Sequence, residues 1–188
     1  MTKTIEPVRI HVFYHDDVSE STRRIVPRNY LKECITELER IANRPFIMEY
    51  RHSIPGVTDI QYQGHPRDSL NHWAATSHTY ADRNIRASER IQRHLLVTQG
   101  TINDETLGFA QVYNRCAIAS LATYQTIAHE LGHTFGMRHE DAELQHNAFG
   151  LECETYGYPE ASPLLAKCYQ YSLKNRENMA RFFAANVD

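Results

Sequence analysis

The stretch that decides the fold is His129-Glu130-Leu131-Gly132-His133-Thr134-Phe135-Gly136-Met137-Arg138-His139. On a helix, His129 and His133 lie one turn apart, so both imidazoles project from one face toward a single point. Gly136 can adopt a positive φ at low steric cost, so it can end the helix and turn the chain. The turn brings His139 to the same point as a third ligand.

This spacing predicts a catalytic metal site. Three neutral imidazoles hold one zinc ion and leave its fourth position open for water, which is typical of catalytic sites. Zinc lowers the pKa of its water to about 7, and the adjacent Glu130 is placed to take the proton. The alternative is an amphipathic helix with packed or solvated histidines, which the glycine and the third histidine in register disfavour.

The pattern HExxHxxGxxH resembles the motif of the metzincin clan of zinc endopeptidases. Upstream, residues 95–98, 108–112 and 116–119 are similar to the strands that precede the active-site helix in the adamalysin-like branch. Glu140, which directly follows the third histidine, instead resembles the astacin branch. The clan is therefore better defined than the subfamily.

Apolar periodicity and breaker residues predict the order of the elements. Strands are predicted at residues 8–14, 46–50, 95–98, 108–113 and 116–119. Helices are predicted at 27–43, in part of 69–93 with Trp73 as anchor, in the motif, and at 173–186 after an N-cap at Ser172. Residues 54–64 and 141–167 are predicted to be irregular.

This order predicts an α/β (α+β) fold, in which a twisted mixed sheet lies behind the zinc helix. It matches the metzincin-like layout, with a five-stranded sheet, an active-site helix and a C-terminal helix. The 188 residues fit one catalytic domain over residues 1–188.

The resemblance implies a substrate-binding edge strand that contains Gly108, Phe109 and Ala110. An extended peptide would add to that edge through main-chain hydrogen bonds, with its side chains falling alternately into pockets. An ordinary edge strand without a ligand is the alternative interpretation.

The resemblance also implies a turn with a methionine beneath the metal ligands, and here the sequence departs from the family. Residues 168–172 resemble the Met-x-Tyr turn, with Tyr169 at the methionine position and Tyr171 at the position of the family's tyrosine. Tyr171 is then expected to approach the zinc and to hydrogen-bond the oxyanion. Two alternatives remain: Tyr171 is a core residue with a satisfied hydroxyl, or the turn lies at Met179.

Four cysteines are too few to define a disulfide scaffold. Cys153 and Cys168 flank a loop-like segment and are the favoured pair. The alternative leaves all four reduced, with Cys34 and Cys116 as small core residues.

The net charge and the hydropathy of the chain restrict the kinds of partner that it is expected to bind. A net charge of −3 with scattered basic residues gives no support for nucleic acid binding. No apolar run approaches the roughly 20 residues that a membrane span requires. A monomer that binds a peptide or protein substrate is expected.

The first residues lack the apolar region of a secretory signal. Three interpretations of the location therefore stay open. The protein is cytoplasmic, it is exported without a signal peptide, or the sequence is a mature fragment of a secreted protein.

The expected function is that of a zinc endopeptidase of the EC 3.4.24 type, with Glu130 as general base. One alternative is a zinc-containing module that holds a peptide without cutting it, although such a module has no use for Glu130. Another is an amidase or deacylase that acts on a non-protein amide, although the edge strand favours a peptide.

Overall fold

A five-stranded mixed sheet forms the middle of the protein, as predicted. The computed structural model describes residues 6–85, 90–159 and 164–186. The strands are β1 (Val8–Tyr14), β2 (Phe46–His52), β3 (Gln92–Thr98), β4 (Gly108–Ala110) and β5 (Cys116–Ser120). Their spatial order is β2-β1-β3-β5-β4, in which β4 alone runs antiparallel to its neighbour. β4 therefore lies at an edge of the sheet.

Helices cover both faces of this sheet, which explains why β1, β3 and β5 are buried along almost their whole length. Alternate residues of β3 face opposite sides of the sheet and pack in different cores. Leu95 and Val97 belong to one buried core, while Leu96 packs in a second core around Trp73. The first core also holds Leu131 of the metal-site helix.

The first helical region begins earlier than predicted. Helix α1 (Glu20–Val26) starts after Ser19, whose hydroxyl accepts a hydrogen bond from the Thr22 N–H at 3.2 Å. A π-helical turn (Pro27–Leu31) joins it to helix α2 (Lys32–Ala42), which ends at Asn43 with φ 48°. Pro27 lacks an N–H donor and therefore favours a helix start, whereas here the chain continues through it by widening one turn.

Helix α3 (Pro66–Asn84) covers the opposite face of the sheet and confirms a helix within residues 69–93. Trp73 is its buried anchor, and the indole Nε1 donates to the His94 carbonyl at 3.2 Å. Residues 86–89 of the predicted range lie outside the described residues, and Gln92 and Arg93 belong to β3.

Two further helices complete the face that carries the histidine motif. Helix α4 (Thr126–Thr134) contains the first two histidines. Helix α5 (Leu173–Ala185) starts at the predicted N-cap, where the Ser172 hydroxyl accepts from the Asn175 N–H at 3.2 Å. Met179 lies within α5, so the alternative that places a turn at Met179 is wrong.

The prediction of irregular structure over residues 141–167 is wrong in part. A small second sheet forms there from β6 (Leu144–His146), β7 (Glu152–Glu154) and β8 (Ala166–Lys167), in the order β6-β7-β8. Strands of two or three residues are too short to show the alternation that identifies a strand in sequence. Residues 160–163 of the segment lie outside the described residues.

The favoured disulfide is present, because Cys153 of β7 is bonded to Cys168. Cys34 and Cys116 are free and buried, whereas the alternative that leaves all four cysteines reduced is wrong. Within residues 6–85, 90–159 and 164–186, no helix combines the length and the apolar character that crossing a bilayer requires.

Removing the disulfide should destabilise the protein without unfolding the main sheet. A Cys153→Ala/Cys168→Ala variant is expected to lose roughly 3 kcal/mol of unfolding free energy, the value for a closed loop of about 15 residues. Urea denaturation measures the loss. Reductant should weaken the wild type but not the variant, and four alkylatable thiols in denatured, unreduced wild type would contradict the bridge.

Candidate metal centre

Helix α4 brings the first two histidines of the motif together. His129 and His133 lie four residues apart, and their Nε2 atoms are 3.1 Å from one another. The helix stops at Thr134, and Gly136 follows with φ 104°. The N–H of Gly136 donates to the His133 carbonyl at 3.0 Å, which closes the turn that the motif predicts.

The turn delivers the third histidine. His139 begins a short 3-10 turn (His139–Asp141), and its Nε2 lies 2.9 Å from the Nε2 atoms of both His129 and His133. These three residues, called the histidine triad below, therefore converge as the sequence predicts.

Main-chain carbonyls set the tautomers of the two helical histidines. His129 Nδ1 lies 2.7 Å from the Tyr156 carbonyl, and His133 Nδ1 lies 2.9 Å from the Met137 carbonyl. A carbonyl oxygen only accepts, so each Nδ1 carries the proton and donates it. Each Nε2 therefore presents its lone pair to the centre of the triad, which is the usual arrangement for a metal-binding histidine.

The triad fits a metal ion. Burial, reinforced for His129 by the two neighbouring imidazoles, lowers the pKa of His129 to about 3, and burial lowers the pKa of His133 to about 4. The rings of His129 and His133 are therefore neutral, and their Nε2 lone pairs repel one another at this separation unless a cation lies between them. Three imidazoles with an open fourth position suit a catalytic zinc.

Glu130 lies beside the triad in the same cleft. Its side chain is buried, and the carboxylate accepts a hydrogen bond from the main-chain N–H of Ala110 in β4. Burial raises the pKa of Glu130 well above its ordinary value, against the smaller opposing effect of that hydrogen bond. Gly108 makes this approach possible, since a Cβ there would lie 2.8 Å from Glu130 Cγ and 2.7 Å from the Ile118 carbonyl.

The cleft in front of the triad has a volume of about 1100 Å³. Strand β4 contributes Gly108, Phe109 and Ala110 to one wall, and Tyr156, Tyr158 and others line it elsewhere. Among the predicted site residues, the triad, Glu130 and these three β4 residues thus share one cleft.

The main-chain groups of β4 alternate between the sheet and the cleft. Ser120 N–H donates to the Leu107 carbonyl at 3.0 Å, so Phe109 is the next residue whose main chain bonds to β5. The main-chain groups of Gly108 and Ala110 consequently point away from β5. The strand is shorter than the predicted 108–113, because Tyr113 adopts φ 65° and donates its N–H to the His133 carbonyl at 2.9 Å.

The expectation that Tyr171 reaches the metal and the oxyanion needs correction. Tyr171 is fully buried, and its hydroxyl donates to the Ala128 carbonyl at 2.7 Å. It does not line the cleft. The alternative interpretation, a core tyrosine with a satisfied hydroxyl, describes its position.

The assignment of Tyr169 as the replacement for the turn methionine also needs correction. Tyr169 is half-exposed, with φ 53°, and is not beneath the helix. A Cβ on Gly132 of α4 would lie 2.7 Å from Tyr171 Cε1 and 2.8 Å from Met137 Sδ. The ring of Tyr171 and the thioether of Met137 therefore form the apolar support beneath the metal-site helix.

Sequence reasoning missed several residues that hold the triad in place. The side chain of Asn175 accepts from the Arg138 N–H at 2.8 Å and donates to the Arg138 carbonyl at 3.0 Å, next to His139. Tyr156 and Met137 act through their main-chain carbonyls. Every residue carries such a carbonyl, so the sequence does not identify these two. In the sequence, Asn175 stands out only as a polar residue on the buried face of an amphipathic helix.

Substitution of Gly136 should weaken metal binding by displacing His139. An added Cβ would lie 2.6 Å from Tyr113 Cε1, and φ 104° disfavours any L side chain. Gly136→Ala is expected to lower zinc affinity about 10- to 100-fold, as for loss of a supporting contact. Titration calorimetry with Zn²⁺ measures the change.

Gly150→Ala is the matched control, because Gly150 has φ 75° with no atom near its Cβ position. It should cost some stability but leave zinc affinity unchanged. Equal zinc affinities for Gly136→Ala and the wild type would show that this turn does not position His139.

The position of Tyr171 predicts a stability effect rather than a catalytic one. Tyr171→Phe removes the buried hydrogen bond to Ala128 and should cost roughly 1 kcal/mol of unfolding free energy. Zinc content and the cleavage rate per folded molecule should not change. Tyr169→Phe, at a half-exposed position, should be silent in both measurements. A tenfold slower Tyr171→Phe enzyme of normal stability would restore the oxyanion role.

Comparison with known proteins agrees with this site. Residues 34–171 match the model of metallo-peptidase family M12. In fold, the chain is similar to archaemetzincin from Methanopyrus kandleri, with 16% identity and a TM-score of 0.60, over 98% of this chain and 99% of that one. It is also similar to metalloproteinase-II from Bacteroides fragilis, with 16% identity and a TM-score of 0.66, over 97% of this chain and 55% of that one.

A search of curated proteins finds no match. The family match spans well over half of the chain, and it confirms the predicted resemblance to metzincin-like zinc metallopeptidases. This chain belongs to metallopeptidase family M12.

Proposed function

We propose that this metallopeptidase is a zinc-dependent endopeptidase in which Glu130 is the general base. Family membership supports zinc-dependent peptidase activity in general. The observation that carries the finer proposal is the position of the Glu130 carboxylate, which is buried beside the triad and hydrogen-bonded to the edge strand. A carboxylate in that position faces both the metal site and the strand on which a substrate would lie.

The triad would hold the ion through three Nε2 atoms, and the carbonyls of Tyr156 and Met137 keep those of His129 and His133 unprotonated. A bound zinc ion supplies a Lewis acid that polarises a carbonyl and lowers the pKa of water to about 7.

Glu130 performs the proton transfers of this proposal. Its carboxylate accepts a proton from the water that attacks the peptide carbonyl, and it then delivers the proton to the leaving nitrogen. Burial makes the carboxylate a stronger base than an exposed glutamate. This suits a group that must both take and return a proton near neutral pH.

Strand β4 favours an extended peptide as substrate. The outward N–H and carbonyl of Gly108 and the outward carbonyl of Ala110 line the cleft, and a peptide can pair with such an edge as an added strand. Recognition of this kind uses the main chain in the middle of a peptide and requires neither terminus. It therefore supports internal cleavage.

The decisive variant is Glu130→Gln, which keeps the size of the side chain and removes its basicity. The cleavage rate of a peptide library should fall at least ~100-fold, the scale of a positioned acid or base. Zinc content and unfolding free energy should remain close to those of the wild type.

Glu140→Gln is the matched control, because Glu140 is exposed, close in sequence, and paired at 3.5 Å with the exposed Arg138. It should cleave at the wild-type rate, and a chelator should abolish cleavage by both. Unchanged cleavage by zinc-loaded Glu130→Gln would remove Glu130 as the base. Peptide binding by the wild type without any cleavage would identify a binding module instead, and hydrolysis restricted to non-protein amides would identify an amidase.

A further inference from the structure

A second group of metal-ligating side chains lies on the opposite face of the main sheet. His94 of β3 and Cys116 of β5 are direct partners in the parallel register, and His78 of α3 lies over them. Cys116 packs in the core beneath α3, whereas the neighbouring Ala117 packs in the core beneath α4. The sheet therefore separates this group, called the second cluster below, from the histidine triad.

The spacing within the second cluster suits a metal ion. One donor atom from each residue lies within 4.8 Å of the other two, and Cys116 Sγ is 3.5 Å from His78 Nε2. In a tetrahedral zinc site, usual bond lengths place nitrogen and sulfur ligands about 3.3 to 3.6 Å apart. Small side-chain adjustments would complete the geometry for all three.

An unsatisfied ring nitrogen provides independent support. His94 is only 5% exposed, and its Nδ1 has no hydrogen-bond partner among the described residues. Burying a polar nitrogen without a partner is costly, and such atoms are rare in folded proteins. A buried imidazole that carries a free nitrogen beside a thiol and a second imidazole is suited to bind an ion.

The surroundings permit an ion to enter and a thiolate to form. His78 is exposed, which opens the second cluster to solvent. Burial raises the pKa of the Cys116 thiol, while the Ser77 hydroxyl and the positive charges of Arg93 and Arg115 oppose that rise. A coordinating ion displaces the thiol proton outright.

The positive charge of Arg51, which acts on His94, is balanced by other groups. Arg51 donates to His11 Nδ1 at 3.0 Å and pairs with Glu49 at 2.5 Å, so its charge is balanced beside the second cluster.

We propose that His78, His94 and Cys116 form a second metal site, which takes a borderline or soft divalent ion such as Zn²⁺. Mixed imidazole and thiolate ligands favour zinc over hard cations such as magnesium and calcium. The ion would tie α3 to β3 and β5, and among the described residues no carboxylate belongs to the second cluster. We assign this ion a stabilising role, separate from the catalytic ion, with water at the position that the three side chains leave open.

Metal stoichiometry on the full chain tests the proposal. Zinc-saturated wild type should hold two ions, and His133→Ala, which disrupts the triad, should keep one. His78→Gln should also keep one, with at least ~100-fold weaker binding at the second cluster, because loss of a direct ligand exceeds the cost of losing a supporting contact. His72→Gln is the matched control, since His72 is an exposed histidine on the same helix, and it should hold two.

Cobalt substitution identifies the ligands without reference to activity. The triad has no sulfur, and Cys153 and Cys168 are bonded to each other. Thiolate-to-cobalt charge-transfer absorption should therefore appear in the wild type, persist in Cys34→Ala, and vanish in Cys116→Ser and His78→Gln. His78 is exposed, so His78→Gln decides the matter even if Cys116→Ser fails to fold. One zinc ion per wild-type chain, or cobalt binding without thiolate absorption, would overturn the proposal.

Discussion

The Nε2 atoms of His129, His133 and His139 lie 2.9 to 3.1 Å apart, and the lone pairs that His129 and His133 turn toward each other repel at that distance. Neither a helix nor a turn holds three such rings together unaided. The surrounding structure supplies the restraint by giving Nδ1 of both helical histidines an acceptor on its far side. A cation between the rings removes this repulsion, so the restraint increases the affinity of the site for a cation.

Segments that are far apart in the sequence provide the hydrogen bonds that hold the triad. The acceptor for His129 is the carbonyl of Tyr156, which lies in the loop closed by the Cys153–Cys168 disulfide. The main chain before His139 is held at both its N–H and its carbonyl by Asn175 of α5. The small sheet and the C-terminal helix therefore serve the metal centre as directly as the central sheet does.

Spacing and residue type predicted the parts of this site that depend on side-chain chemistry. The triad follows from helical periodicity and one glycine, and the buried strands follow from apolar runs such as that of β1. The position of Tyr171 did not follow, because a buried tyrosine beneath a helix and one beside a metal have the same local sequence. The acceptors at Tyr156 and Met137 belong to the main chain, and the strands of the second sheet are too short to produce a pattern.

The three residues of β4 also bear on how the protein avoids association with itself. A sheet edge that accepts a peptide strand is equally able to accept the edge of another molecule, and such pairing leads to aggregation. Here the strand is only three residues long, and the left-handed Tyr113 soon turns the chain away. The outward N–H of Ala110 is already bonded to Glu130. The carboxylate proposed to act as the base in hydrolysis thus also occupies a donor that could pair with a strand of a neighbouring molecule. This hydrogen bond makes aggregation through the edge of β4 less favourable.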